Sequence, residues 1–133
     1  MKKLGKMEFT VKDSIFNVKV HVLLNVGDED FKKWCERQGA EDYSSQKIDP
    51  NHSAFSTYLT SDTAPDKYLI LIRKFNWTTD DQNTLVHEIV HTIFKIWRRC
   101  GPPVCEDTQE FFAVSAGNMY EDIANEILKR GKK

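Results

Sequence analysis

What this chain has little of narrows it first. Its 133 residues contain three cysteines, Cys35, Cys100 and Cys105. That odd number excludes a fully paired disulfide framework and fits a reducing compartment. Four prolines and six glycines are too few for a collagen-like or low-complexity chain. No apolar run approaches the roughly 20 residues that cross a bilayer. The basic opening Met1-Lys2-Lys3-Leu4-Gly5-Lys6-Met7 is not followed by the apolar region and cleavage site of a secretory signal. Charge of one sign is not in excess either. The formal net charge is −1, which gives no general attraction to nucleic acid or anionic membrane, and Lys129-Arg130-Gly131-Lys132-Lys133 reads as a solvated tail. The expectation is a cytoplasmic protein with neither nucleic-acid nor membrane partners. With 40% apolar and 29% charged residues, one domain over 1–133 has enough material for an ordinary core.

The patterning that is present alternates between strand and helix. Glu8 to Val11 predicts a short strand, and Lys12-Asp13-Ser14 a turn. Phe16, Val18, Val20, Val22 and Leu24 then alternate with Asn17, Lys19, His21 and Leu23, the period of a half-buried strand with His21 on its exposed face. Asp28-Glu29-Asp30 opens a helix carrying Phe31, Trp34 and Cys35 and ending at Gly39; Cys35 reads as a core residue. Ala40 to Ser53 is a polar loop with a turn at Asp49-Pro50-Asn51 and an exposed His52. Two β-type runs follow, Ala54 to Thr60 and Lys67 to Phe75, joined by the hairpin loop Ser61–Asp66. Tyr68-Leu69-Ile70-Leu71-Ile72 is almost uninterrupted and predicts a strand covered on both faces. The first run, with Ser56, Thr57 and Tyr58, suits an edge.

A helix is predicted from about Asp80 to Arg99, with Thr79 and Gln82 forming a capping box and Gly101-Pro102-Pro103 stopping it. Leu85, Val86, Ile89, Val90, Ile93, Ile96 and Trp97 make its apolar arc. Within it lies His87-Glu88-Ile89-Val90-His91, an HExxH sequence. Two histidines four residues apart stand one turn above each other and can share a metal ion. The glutamate beside them is a candidate general base for metal-activated water. At 100° per residue the histidines fall at the margin of the arc, with Glu88 farther toward the polar side.

A hydrolytic zinc commonly takes three protein ligands, so a third must come from elsewhere. Phe94 and Trp97 stand where the metzincin extension needs glycine and histidine, which excludes that class. Glu110 is the preferred third ligand, with Glu106 and Asp107 as rivals nearer the loop. It lies on a last helix predicted from about Asp107 to Lys129. Ala113 and Gly117 on its face would let the two helices approach closely, and Phe111, Phe112, Met119, Ile123, Ile127 and Leu128 offer further core material. Cys100-Gly101-Pro102-Pro103-Val104-Cys105 lacks the second pair of a zinc ribbon and reads as thiols around a rigid turn.

His87-Glu88-Ile89-Val90-His91 followed by Glu110-Phe111-Phe112-Ala113 resembles the gluzincin metallopeptidases. The short lead-in is most similar to the minigluzincins and to small metallopeptidase-like proteins of phages and prophages. The resemblance spans roughly Ala54 to Asp122. It implies a minimal zincin-like α+β fold: a small, mostly antiparallel sheet against the HExxH helix and a following glutamate-bearing helix. It also implies Zn2+ held by His87, His91 and Glu110, with Glu88 as general base. By analogy, an edge strand at Ala54 to Thr60 would bind extended peptide, through Phe55, Ser56, Thr57 and Tyr58. Val114 stands where thermolysin-like members have an acid that orients a histidine. Tyr120, Tyr58 and His52 are the available positions for an oxyanion-stabilising group. The expected function is therefore zinc-dependent hydrolysis of a peptide or protein substrate. The alternative is a non-catalytic zinc-binding interaction module on the same scaffold, for instance a phage factor acting on a host protein.

Overall fold

The computed structural model describes residues 3–45 and 53–131; the expected turn at Asp49-Pro50-Asn51 and His52 lie outside them. Four strands form one sheet in the order β1-β2-β4-β3. β1 (Met7–Lys12) pairs antiparallel with β2 (Lys19–Leu24), β2 runs parallel to β4 (Lys67–Ile72), and β3 (Ala54–Leu59) pairs antiparallel with β4. The architecture is α+β, as expected, but the sheet is mixed. The parallel pairing needs a long connection between its two strands. That connection runs through α1 (Asp28–Arg37), a 3-10 turn at Glu41–Ser45 and β3.

β2 begins three residues later than its alternation suggests. The carboxylate of Asp13 accepts the backbone N–H groups of Ile15 and Phe16, and Asn17 adopts a left-handed conformation with φ 57°. Together they fold Asp13 to Val18 into a turn closed by Asp13 N–H to Val18 C=O, 2.8 Å. Local side-chain bonds of this kind compete with strand formation.

The two faces of the sheet bury two apolar clusters. Phe9, Val20, Val22, Ile70 and Ile72 meet α2 (Thr79–Cys100) and α3 (Gln109–Gly131) on one side. Leu23, Leu69, Leu71 and Leu59 meet Phe31, Trp34, Cys35 and Tyr43 on the other. β4 is thus covered on both faces, and β3 is an edge, as the sequence indicated.

The start of α2 is fixed one residue earlier than expected. Thr78 is the N-cap; its hydroxyl accepts the Asp81 N–H at 3.1 Å while the Asp81 carboxylate accepts the Thr78 N–H at 3.2 Å. The helix ends at Gly101 because the chain passes directly over an aromatic ring. A Cβ there would stand 2.4 Å from Cζ of Phe16, whose ring packs edge-on against Trp97.

α3 buries most of the larger apolar residues expected in the core, with Phe111 and Leu128 left exposed, and not the small-residue face expected to meet α2. Phe112, Ser115, Ala116, Met119, Ile123 and Ile127 turn inward, and the Ser115 hydroxyl donates to the fully buried carboxylate of Asp13. Ala113, Val114 and Gly117 are exposed, and a Cβ at Gly117 would touch nothing within 4 Å. The close helix approach expected of these small residues is therefore not made. The larger apolar face of α3 wins, because burying phenylalanine, methionine and isoleucine stabilises far more than burying alanine and glycine.

Candidate metal centre

The pair at the middle of α2 is formed by helix geometry alone. His87 and His91 lie one turn apart with their rings edge-to-face, centroids 4.6 Å apart, and their Nε2 atoms are separated by 3.0 Å. Two ligands at about 2.0–2.1 Å from one zinc ion stand about 2.8–3.0 Å apart at a right angle and about 3.3–3.4 Å apart at the tetrahedral angle. Both rings are exposed, His87 with 67% of its side-chain surface in solvent. The pair thus fits two adjacent positions on one metal ion.

Glu88 departs from its expected position on the polar side. It is only 6% exposed, with its carboxylate 3.9 Å from His87 Nε2. The covered flank of α2 extends to this residue because α2 leans over β3. Val86 and Val90, expected in the core, are instead exposed together with Phe94. α3 meets α2 farther along, where Phe112 packs on Trp97, and leaves the earlier turns of that flank uncovered.

Glu110 opens α3 and is exposed, as are the rival residues Glu106 and Asp107. Among the described residues, no three of His, Cys, Asp and Glu come together as a group that could hold a metal. The structure brings His87 and His91 together and sets Glu88 beside them, but does not bring Glu110 into the pair.

The residues expected to bind substrate form β3, which packs beneath α2. Ser53 C=O accepts the Arg73 N–H at 2.9 Å. In the antiparallel register that pairs Ala54 with Ile72 and Ser56 with Ile70, this makes Ala54, Ser56 and Tyr58 the residues whose backbone groups point away from β4, to the open edge. Phe55 turns its side chain to the α1 side of the sheet, whereas Ala54 and Tyr58 turn theirs to the α2 side.

One residue, a basic side chain near the end of α2 that suits the helix dipole, carried no site role in the sequence. Lys95, four positions beyond His91, donates from Nζ to the Ser56 carbonyl at 2.8 Å and bonds Ser56 Oγ at 3.1 Å. Burial holds its ammonium below the usual lysine pKa, while the nearby Glu88 charge opposes that shift. One turn later the Arg99 guanidinium lies 4.1 Å from the centre of the Tyr58 ring, and the Tyr58 hydroxyl donates to Asp66 at 2.9 Å. The spacing of Glu88, Lys95 and Arg99 puts all three on one helix face. That pattern was readable, but its partner strand was not.

His21 and the three cysteines have no part in the centre. His21 is half-buried rather than exposed, edge-on to Trp34 at 5.5 Å, on the α1 side of the sheet. Its pKa is pushed down to about 4, chiefly by burial and then by Lys67 and Lys19. Cys35 is fully buried and its thiol is pushed up to about 11 by burial, which makes it unreactive. Cys100 and Cys105 are exposed free thiols. No helix among the described residues is long and apolar enough to cross a membrane. No protein-family model, curated protein or solved structure gives a significant match to the chain.

Proposed function

We propose that the chain is a zinc-dependent metallopeptidase of minimal zincin-like type, hydrolysing peptide bonds. The observation that carries this reading is the His87–His91 pair, with Nε2 atoms 3.0 Å apart and an intervening carboxylate, Glu88, held on the flank toward an open strand edge. In this reading His87 and His91 hold the metal, and Glu110, on the exposed first turn of α3, is the third ligand. A zinc ion held by these residues would supply Lewis-acid polarisation of the scissile carbonyl and would lower the pKa of a water. Glu88 takes the proton of the attacking water and delivers it to the leaving amine. The β3 edge at Ala54, Ser56 and Tyr58 aligns an extended substrate by backbone pairing.

The test is zinc content and cleavage of an octapeptide library by the same preparations. Glu88→Gln is expected to keep its zinc and lose at least about a hundredfold in turnover, the usual scale for removing a general base. Glu110→Ala is expected to lose most of its zinc; full retention removes Glu110 from the ligand set.

A second reading is a zinc-binding interaction module without catalysis. Two observations favour it: no third donor joins the pair among the described residues, and Val86, Val90 and Phe94 form an exposed apolar row beside it. Cleavage abolished both by chelator and by Glu88→Gln decides for the enzyme. A zinc-loaded protein that cleaves no library member decides for the module.

A further inference from the structure

The edge of β3 is neither bare nor neutral. Its outward-facing residues carry Lys95 at Ser56 and Arg99 at Tyr58, so two cations follow the strand at the spacing of its pleat. Four helical residues rise about 6 Å, and alternate strand residues are about 6.6 Å apart. α2 and β3 therefore keep step here: Lys95 and Arg99 lie at successive outward residues of the strand, Ser56 and Tyr58, and His91 is one helical turn before Lys95. Of the carboxylates nearby, Glu88 is covered and Asp66 accepts the Tyr58 hydroxyl.

We propose that the groove between α2 and the β3 edge selects acidic peptides, with Lys95 receiving a substrate carboxylate two residues from the bond that faces His87 and His91. The inference rests on the reading of β3 as the peptide-binding edge and names the substrate class for it. Two of the three ammonium protons of Lys95 are directed at Ser56, which leaves one donor and a poorly hydrated charge for an incoming acid. Pairing of a peptide N–H with the Ser56 carbonyl requires that Lys95 give up that acceptor. A glutamate or aspartate side chain on the peptide supplies the replacement partner, so the acid and the backbone pairing favour each other. A neutral side chain leaves the half-buried ammonium either on the carbonyl or without a partner, and desolvating a charge without a partner is unfavourable. Arg99, exposed and already stacked on Tyr58, adds a weaker preference for a second acid two residues farther on.

The experiment uses octapeptide pools in which one position at a time is fixed as Glu, Gln or Lys, with two readouts. Cleavage is measured with zinc-loaded protein, and binding is measured by fluorescence anisotropy with labelled pools on the Glu88→Gln variant. Expected is an approximately tenfold preference for Glu over Gln at one position, reduced to within about twofold in Lys95→Met and retained in Lys95→Arg. Arg99→Gln should lower the preference at a second position only. Equal binding of Glu and Gln pools overturns the inference, even if peptides are cleaved. Binding that prefers Glu and depends on Lys95, without cleavage of any pool, supports the inference while removing the peptidase reading. An unchanged preference in Lys95→Met assigns it to another cation and overturns the role given to Lys95.

Discussion

At the scale of single residues, the two histidines of α2 and His21 of β2 answer to different physics. His87 and His91 are exposed and adjacent, so each contributes a donor that the other makes useful. Replacing either with alanine leaves one imidazole on an open helix face, and zinc affinity measured by competition with a chromophoric chelator should fall at least about a hundredfold. His21 is a packing residue. Its folded pKa of about 4 lies below the unfolded value near 6.5, so the unfolded chain takes up the proton more readily. Its contribution to stability is therefore complete above pH 6.5 and declines as the pH falls toward 4. Urea unfolding at pH 7.0, 5.5 and 4.5 should show a loss of stability that is smaller in His21→Gln than in the parent. An equal loss in both removes His21 as its source.

At the scale of elements, the chain was most legible where one segment determines its own form. α2 could be read from its acidic first turn, its periodic apolar residues and its Gly101-Pro102-Pro103 stop. The hairpin of β3 and β4 could be read from two β-type runs around Ser61–Asp66. The features that escaped depend on partners distant in sequence. His21 looks exposed until α1 lays Trp34 across it. The parallel pairing of β2 with β4 follows from a crossover that leaves no local mark. On α3 the apolar core residues Phe112, Met119, Ile123 and Ile127 were legible, but the small-residue face was misjudged because small residues at helical spacing suggest close packing only if a helix is there to meet them. For the candidate site, the His pair was legible because four residues of helix place it, whereas the strand lying beside Lys95 was not. The start of α2 offers a direct test of local control. Thr78→Ala removes one half of the reciprocal cap and should cost about 0.5–2 kcal/mol, read as a lower urea midpoint with unchanged slope.

At the scale of the whole molecule, metal binding and folding are linked if the two histidines act together only in the folded helix. A ligand that binds the native state alone at a hundred times its dissociation constant adds about 2.7 kcal/mol of stability. Zinc should accordingly raise the melting temperature of the parent, and raise it much less in a His87→Ala/His91→Ala double variant. An equal rise in both places the metal elsewhere.

The contact between Asp13 and Ser115 has a consequence for how the protein is made. It joins the first turn of the sheet to the last helix across 102 positions of sequence, and α3 covers the same end of the sheet. During synthesis at about 5–20 residues per second, the first hairpin waits roughly 5–20 s before its covering helix is made. Through that interval Asp13 is without its hydroxyl partner, and Phe9, Val20 and Val22 are without their lid. A nascent chain halted at Pro102 should accordingly expose an apolar sheet face, and when released it should partition into the insoluble fraction while the full chain remains in solution.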